Sequence, residues 1–382
     1  MNFLSVAVTA LVHLVTNHVI PILFVLGVII FVHELGHFIV GRLCGVGVSV
    51  FSLGFGPELF GFNDRYGTHW RVAAVPLGGY VKFYGDQNAA SQPDPEALEK
   101  LTAEERRKTL PAQPIWARAL IIAAGPVANF LLAILIFSTT AYFFGKQTLA
   151  PRVERVEAAS VAEAAGFRAG DLILKVDGRP LDDFFELKQI VSSHAGVAMT
   201  FLVERAGGDV TLVATPALKD DQTPFGKQRV GMLGIAPSRD PKDVHYAYPS
   251  LPGAIAIGVS DTFGYVEKTL STVAGMIVGR ESASQISGLV GMGQAVGVVA
   301  SWGFAPFLNL IGWMSVSIGL VNLFPIPILD GGHLLFYAIE ASRGRPLSEK
   351  VQEASFRVGL ALIVALLLFA NINDLWRLLA PS

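Results

Sequence analysis

The residues best suited to chemistry form the pentapeptide His33-Glu34-Leu35-Gly36-His37 near the N-terminus. Residues four apart share one face of an α-helix, so both imidazoles can reach a single ion. Histidine nitrogens are common ligands of Zn²⁺. Glu34 stands beside them and is suited to act as general base for an attacking water. The spacing therefore predicts a hydrolytic zinc site on a helix.

The position of this motif argues against the alternative, a solvated helix that carries two surface histidines. The chain from Met1 to His33 contains no Asp, Glu, Lys or Arg. A charged group at membrane depth costs about 2.5–3.5 kcal/mol on insertion scales. Three ionisable residues within five positions at the end of an apolar run therefore indicate a functional site.

Asp330 is the leading candidate for a third ligand, because a catalytic zinc usually has three protein ligands and one open position. It ends a run of 48 residues, 282–329, without a charged side chain. Pro325 and Pro327 break the preceding helix, and irregular backbone at membrane depth is tolerated only where it faces protein or water. We therefore expect Asp330 at the wall of a polar cavity. His333 is a rival ligand, and the start of a cytoplasmic loop is the alternative role for Asp330.

The apolar runs predict a polytopic α-helical membrane protein with about four transmembrane helices in a lipid bilayer. Only 16% of the 382 residues are charged, against about 25% in a typical soluble domain. A bilayer core of about 30 Å needs about 20 helical residues. The predicted spans are residues 19–42, 119–144, 304–324 and 358–372, the last extended toward residue 379. A net charge of −2 offers no basic surface for nucleic acid.

The segments between the spans predict two further structures. Residues 46–84 alternate and are rich in glycine and aromatic residues, which predicts membrane-associated β-hairpins. Residues 151–237 alternate strand and helix patterns, which predicts one small α+β domain. The predicted boundaries are 1–44 for the first span, 45–114 for the hairpin region and a polar loop, 115–145 for the second span, 146–240 for the α+β domain, 241–303 for an interfacial or re-entrant segment, 304–335 for the third span and 336–382 for a loop and the fourth span.

The basic residues near the span ends predict the orientation of the chain, because they favour the cytoplasmic side. Nine lie on the side of residues 45–114, namely Arg42, Arg106, Arg107, Lys108, Arg118, Arg343, Arg345, Lys350 and Arg357. Four lie on the other side, namely Lys146, Arg152, Arg155 and Arg280. We therefore expect the hairpin region and both termini in the cytoplasm and the α+β domain outside.

Several short motifs occur in a fixed order together with the histidine pentapeptide. They are Gly54-Phe55-Gly56-Pro57, Gly79-Tyr80-Val81-Lys82, Gly125-Pro126 with Asn129, and the stretch from Asn322 through Pro325, Pro327 and Asp330 to Gly331. In this order they resemble the site-2 intramembrane zinc metalloproteases, and most closely the bacterial regulator-of-sigma-E protease type. Each motif alone is weak, whereas the ordered set covers almost the whole chain and is specific.

The resemblance implies that His33, His37 and Asp330 bind one Zn²⁺ per chain and that Glu34 is the catalytic base. It implies that Asn322 holds substrate backbone near the zinc, the alternative being a capping or packing role in the broken helix. The implied activity is endopeptidase cleavage within or near the transmembrane segment of single-pass membrane proteins, such as anti-sigma factors or signal-peptide remnants. The implied setting is regulated intramembrane proteolysis and stress response signalling in the bacterial inner membrane, with the α+β domain as one extracytoplasmic PDZ-like domain.

A helical substrate hides its carbonyls in its own hydrogen bonds, so it must become extended before attack. Our hypothesis is that Trp70, Arg71, Val72 and Ala73 supply a strand edge for such a segment. The competing class of function is a metal-binding membrane adaptor or transporter. A transporter would carry polar residues across several spans and an inactive adaptor would lose the base. Here the polar residues cluster at two helix ends and Glu34 is present, which favours the protease.

Overall fold

The computed structural model describes residues 9, 12, 15–86, 101–223, 226–238, 240–278 and 286–379. The described α-helices are α1 (Ile20–Leu43), which a π-helical turn, Val15–Val19, precedes, α2 (Ala103–Arg107), α3 (Ile115–Phe144), α4 (Val161–Ala164), α5 (Phe184–Ser193), α6 (Leu251–Ile277), α7 (Leu289–Ser301), α8 (Phe304–Asn322), α9 (Asp330–Arg343) and α10 (Glu349–Leu379). The described strands are β1 (Val48–Asn63), β2 (His69–Phe83), β3 (Lys146–Leu149), β4 (Val153–Val156), β5 (Leu172–Val176), β6 (Arg179–Pro180), β7 (Met199–Arg205), β8 (Gly208–Ala214), β9 (Ala217–Thr223), β10 (Gly226–Met232), β11 (Ile235–Pro237) and β12 (Val244–Ala247).

Four described helices are long and apolar enough to cross a membrane, which confirms the predicted polytopic class. They cover Val15–Leu43, Ile115–Phe144, Phe304–Asn322 and Glu349–Arg377. The fourth helix begins at Glu349, well before the expected residue 358. Glutamate, lysine and arginine are good helix formers, and Arg357 pairs with Glu353 one turn earlier at 2.6 Å. The charged residues therefore lengthen this helix instead of ending it.

The segment expected to be interfacial or re-entrant, 241–303, contains β12, α6 and α7 among the described residues. The 13 residues of α7 extend about 20 Å, which is too short for a bilayer core of about 30 Å. Asp374 in α10 accepts a hydrogen bond from the backbone N–H of Gly291 in the first turn of α7, at 2.7 Å. This contact holds the glycine-rich helix against the fourth span. The membrane depth of α7 stays a prediction.

The predicted hairpin region is confirmed as two long paired strands, β1 and β2. Both strands change register, so each contributes two paired segments. Their inner side chains pack with α1 and α3 in one apolar cluster. The buried members of this cluster are Phe38, Val46, Val48, Phe51, Val81, Phe83, Leu110 and Ile121. The hairpin region is therefore part of the same core that holds the histidine helix.

The chain divides into two compact units, and the second comprises residues 139–254 and 272–285. Within it, a four-stranded sheet has the order β6-β5-β7-β8. Met199, Phe201 and Val203 of β7 are buried, as the alternating pattern predicts. The predicted alternation of strand and helix patterns agrees with the order β4, α4, β5, β6, α5, β7 and β8. The pairs β9–β10, β4–β11 and β3–β12 were not predicted, and the PDZ-like assignment stays a prediction.

Candidate metal centre and active site

The two histidines of the pentapeptide lie one turn apart on α1 and face the same side. Both are buried, with exposed fractions of 8% for His33 and 7% for His37. Their Nε2 atoms are 3.2 Å apart. This close approach of two imidazole nitrogens is the arrangement that the four-residue spacing predicts.

Asp330, at the start of α9, meets the two histidines although it is almost 300 residues away in sequence. Its Oδ2 lies 3.2 Å from Nε2 of His33, and its Oδ1 lies 3.5 Å from Nε2 of His37. The ligand atoms of these three residues all lie within 4.8 Å of one another. Among the described residues, this is the one such cluster of three or more His, Cys, Asp or Glu side chains. His333 is outside this cluster, and its ring packs against Phe336 and Phe356. The structure therefore brings together the three predicted ligands and leaves the rival histidine apart.

The chemistry and spacing of this donor set fit Zn²⁺. Two ligand atoms at about 2.0–2.1 Å from a tetrahedral ion stand about 3.3–3.4 Å apart. The three interatomic distances in the cluster, 3.2, 3.2 and 3.5 Å, are close to this value. Two imidazoles and one carboxylate also match the set found in zinc hydrolases, which leaves a fourth position open. His33, His37 and Asp330 can therefore hold one zinc ion.

The loop before Asp330 is held in place by close backbone contacts. A Cβ atom on Gly331 would overlap the carbonyl oxygens of Leu323 and Phe324, and one on Gly332 would lie 2.5 Å from the carbonyl oxygen of Ile326. Ile328 has a φ angle of +93°, a rare conformation for a β-branched residue. The loop thus folds tightly over the first turn of α9. Only glycine allows that approach, which accounts for the Asp-Gly-Gly sequence.

Helix α3 supports both imidazoles from the side away from Asp330. The Nδ1 of His37 lies 2.9 Å from the backbone carbonyl of Ile121, and the Nδ1 of His33 lies 3.2 Å from the side-chain amide of Asn129. Between them, a Cβ on Gly125 would overlap Nε2 of His37 and lie 2.8 Å from Cε1 of His33. The sequence analysis did not predict that α3 contacts the two imidazoles. The residues that could have indicated it are a glycine and an asparagine four positions apart in an apolar span.

Glu34 is half-buried beside the cluster and faces the hairpin. The backbone N–H of Val81 lies near its carboxylate. A Cβ on Gly79 would stand 3.1 Å from Cγ of Glu34 and 2.8 Å from the carbonyl oxygen of Ser52. The end of β2 is therefore packed directly on the predicted base.

The hypothesis of a free strand edge at Trp70, Arg71 and Val72 is wrong, because each of these residues has partners on two sides. In the sheet, Trp70 pairs with Phe51 on one side and Phe62 on the other. Arg71 pairs in the same way with Ser52 and Gly61, and Val72 pairs with Leu53 and Phe60. Ala73 is registered with Glu58 and is buried. The register changes of β1 and β2 place this segment inside the sheet. Beside Glu34, the segment Gly79–Val81 instead has one paired neighbour in the sheet, Phe51–Leu53.

Asn322 is the last residue of α8 and stands eight positions before Asp330, at the start of the loop that leads to it. It is half-buried. Its predicted contact with substrate stays a prediction. The metal-binding roles of His33, His37 and Asp330 and the catalytic role of Glu34 also stay predictions, although the positions of these residues agree with the expected roles.

The sequence model of peptidase family M50 matches residues 21–366. The chain belongs to peptidase family M50. This confirms the predicted membership of the site-2 protease family. The chain is 44% identical over 359 residues to a protein of Mesorhizobium japonicum named as a zinc metalloprotease, with 94% of this chain and 98% of that protein covered. It is 42% identical over 365 residues to a protein of Agrobacterium fabrum with the same description, with 95% and 97% covered.

A third member of the family is metalloprotease MmpA of Caulobacter vibrioides, which is 41% identical over 381 residues, with 94% of this chain and 95% of that protein covered. The family and these relatives identify the chain as a zinc metalloprotease. Its four apolar helices make this M50 peptidase a membrane protein. The predictions of an enzyme, of zinc as its cofactor and of a membrane location are confirmed.

Proposed function

We propose that this M50 peptidase hydrolyses peptide bonds within or near the transmembrane segment of single-pass membrane proteins. The observation that carries the proposal is the meeting of His33, His37 and Asp330 at 3.2–3.5 Å between helices of an apolar membrane region. Buried polar groups at such depth are costly and mark function. An enzyme that cleaves a water-soluble substrate would not require its catalytic groups to lie in an apolar membrane region.

His33, His37 and Asp330 hold one zinc ion per chain in this proposal. Zinc bound there supplies Lewis acidity, which polarises the scissile carbonyl and makes water a nucleophile near neutral pH. Glu34 accepts the proton of the attacking water and later delivers it to the leaving amine. Glu34 packs against the end of β2 at Gly79, which places its carboxylate beside the candidate ligands.

The substrate segment binds in an extended form along the edge of β2 at Gly79–Val81. This edge pairs on one side with Phe51–Leu53 and lies against Glu34 on the other. Strand addition at such an edge satisfies the backbone groups of an unwound segment, which have no water to bond in the bilayer. Asn322 can donate to a substrate carbonyl and accept from its N–H, because an amide carries both functions.

The natural substrates are single-pass membrane proteins, such as anti-sigma factors or signal-peptide remnants, cleaved in regulated intramembrane proteolysis. The compartment is the bacterial inner membrane, with the α+β domain outside as a PDZ-like module. The nine-to-four excess of basic residues supports this orientation. The module acts either as a receptor for a new C-terminus or as a filter against large outer domains.

The proposal is tested with the purified full chain in liposomes that contain a single-span substrate. We expect products whose new termini, located by mass spectrometry, fall within or next to the membrane segment. Glu34→Gln should lower the cleavage rate by about 10²–10⁴-fold, the range for a lost general acid–base, with zinc content unchanged. Glu353→Gln, an exposed residue on α10, is the matched control. Equal cleavage by wild type and Glu34→Gln would contradict the proposal.

A further inference from the structure

Three residues of α3, spaced four apart, face the two imidazoles. They are Ile121, Gly125 and Asn129, and this spacing places them on one side of the helix. Gly125 leaves room for the rings, whereas Ile121 and Asn129 each offer a polar group to the ring nitrogen that points away from Asp330. The helix thus contacts the Nδ1 atom of both predicted ligands.

The contact to His37 determines which nitrogen carries the proton. A backbone carbonyl can only accept, so the Nδ1 of His37 must donate to Ile121 at 2.9 Å. A neutral imidazole has one protonated nitrogen, so Nε2 keeps its lone pair. That lone pair faces His33 and Asp330, as a metal ligand requires. The partner of the second nitrogen is what fixes the tautomer of a ligating histidine.

The contact to His33 is made by a side-chain amide, which can either donate or accept. Asn129 is fully buried, and with Nδ2 toward His33 its Oδ1 has no hydrogen-bond partner among the described residues. Turning the amide by 180° exchanges the two atoms, so the amide nitrogen then takes the unpartnered position. Both orientations leave one amide atom unpaired, and they differ only in what they offer to Nδ1 of His33.

If Asn129 donated to Nδ1, the proton of His33 would sit on Nε2 and point at His37 and Asp330, which leaves no lone pair for an ion. If Asn129 accepts from Nδ1, Nε2 is free to bind. We propose that Asn129 is a positioning residue whose side-chain carbonyl accepts the Nδ1 proton of His33 and holds this imidazole in the metal-binding tautomer. This inference rests on the proposed zinc site at His33, His37 and Asp330.

The test compares the zinc affinity of two near-isosteric variants of the full chain in detergent, measured by competition with a chromophoric chelator. Asn129→Leu removes the acceptor and should weaken zinc binding by about 10- to 100-fold, the usual effect of losing such a partner. Asn129→Asp keeps an acceptor and should bind within about threefold of wild type. Ser315→Ala is the control and should bind zinc like wild type, since the Ser315 hydroxyl donates to the backbone carbonyl of Asn129, at 2.8 Å, and not to its side chain.

Thermal unfolding of the metal-free proteins separates positioning from packing. We expect Asn129→Leu to unfold at the wild-type temperature without metal, because the change also removes an unpaired buried polar atom. Unchanged zinc affinity in this variant would overturn the inference, as would an equal loss in folded Asn129→Leu and Asn129→Asp. If the aspartate variant does not fold, the leucine variant decides alone. Failure of the wild type to bind zinc would instead overturn the proposed site itself.

Discussion

The side chains of the proposed zinc site depend on neighbours that contribute little more than space and backbone groups. Gly125 lies against both imidazoles, and Gly36 lies against the backbone of Ala124, with a Cβ there only 2.8 Å from that of Ala128. Helices α1 and α3 can therefore approach until the carbonyl of Ile121 reaches His37. Without two glycines on the facing surfaces, the ligands would lose their supporting helix.

Gly125→Ala should abolish zinc binding while the helix itself is retained. The new Cβ would overlap Nε2 of His37, and alanine is the better helix former, so only the site is harmed. Gly27→Ala on α1 is the control, because nothing lies within 4 Å of a Cβ at that position. Zinc content of the purified variants by mass spectrometry checks this expectation. Full zinc occupancy in Gly125→Ala would show that the ligands lie elsewhere.

The meeting of the candidate ligands beside the candidate base could be predicted because the residue types and their spacing are unusual. His33, Glu34 and His37 form a local pattern, and Asp330 ends a long uncharged run. The carbonyl of Ile121 and the N–H of Val81 could not be predicted, because every residue of an apolar span carries the same backbone groups. Asn129 was visible as a motif residue, but its contact with His33 depends on how two helices pack.

The helices were easier to predict from the sequence than the strands. Continuous apolar runs indicate spans directly, although the fourth span begins earlier than predicted, at Glu349. The 27-residue helix α6 was not predicted as a helix. The pairing within the hairpin region was not predictable, because strand partners are set by non-local contacts and by the register changes of β1 and β2. Residues 70–72 therefore lie inside the sheet, whereas Gly79–Val81 has one paired neighbour, Phe51–Leu53.

The β-rich domain should lose stability in acid through one buried carboxylate. Burial raises the pKa of Asp171, but hydrogen bonds from Arg205 and from the backbone N–H of Arg168 outweigh it and hold the pKa below the ordinary 3.8. A lowered folded-state pKa stabilises the fold above about pH 4, and this stabilisation disappears as the pH falls further.

Asp171→Asn should therefore be less protected against hydrogen exchange in β5 and β7 at pH 7, and its difference from wild type should shrink below about pH 4. The measurement uses the full chain and mass spectrometry of the exchanged peptides. Asp209→Asn, on the exposed edge of β8, is the control and should match wild type. A wild-type-to-variant difference that stays constant from pH 7 to pH 3 would contradict the linkage.

Across the whole chain, the few charges mark the boundaries of the membrane and of the site. Both long uncharged runs end at the cluster, the first at His33 and Glu34 and the second at Asp330. The basic residues favour one side of the bilayer. The four-span architecture follows from the apolar runs, whereas the side on which each loop lies is a separate prediction.

The single cysteine offers a direct test of this orientation. Cys44 follows the C-terminal end of α1 and is expected on the cytoplasmic side. A membrane-impermeant maleimide should leave it unlabelled in intact cells. With Cys44→Ser as background, Asp209→Cys in the outer domain should be labelled in intact cells, and Arg107→Cys only after permeabilisation. Labelling of Arg107→Cys but not Asp209→Cys in intact cells would reverse the assigned orientation.

The most direct test of the zinc site is X-ray absorption at the zinc edge on the zinc-loaded full chain. We expect one zinc per chain with two imidazole nitrogens at about 2.0–2.1 Å, carboxylate or water oxygens in the remaining positions and no sulfur. Asp330→Ala should change this spectrum, and His333→Ala should leave it unchanged. A spectrum with one histidine or with sulfur, or one that Asp330→Ala does not alter, would contradict this expectation.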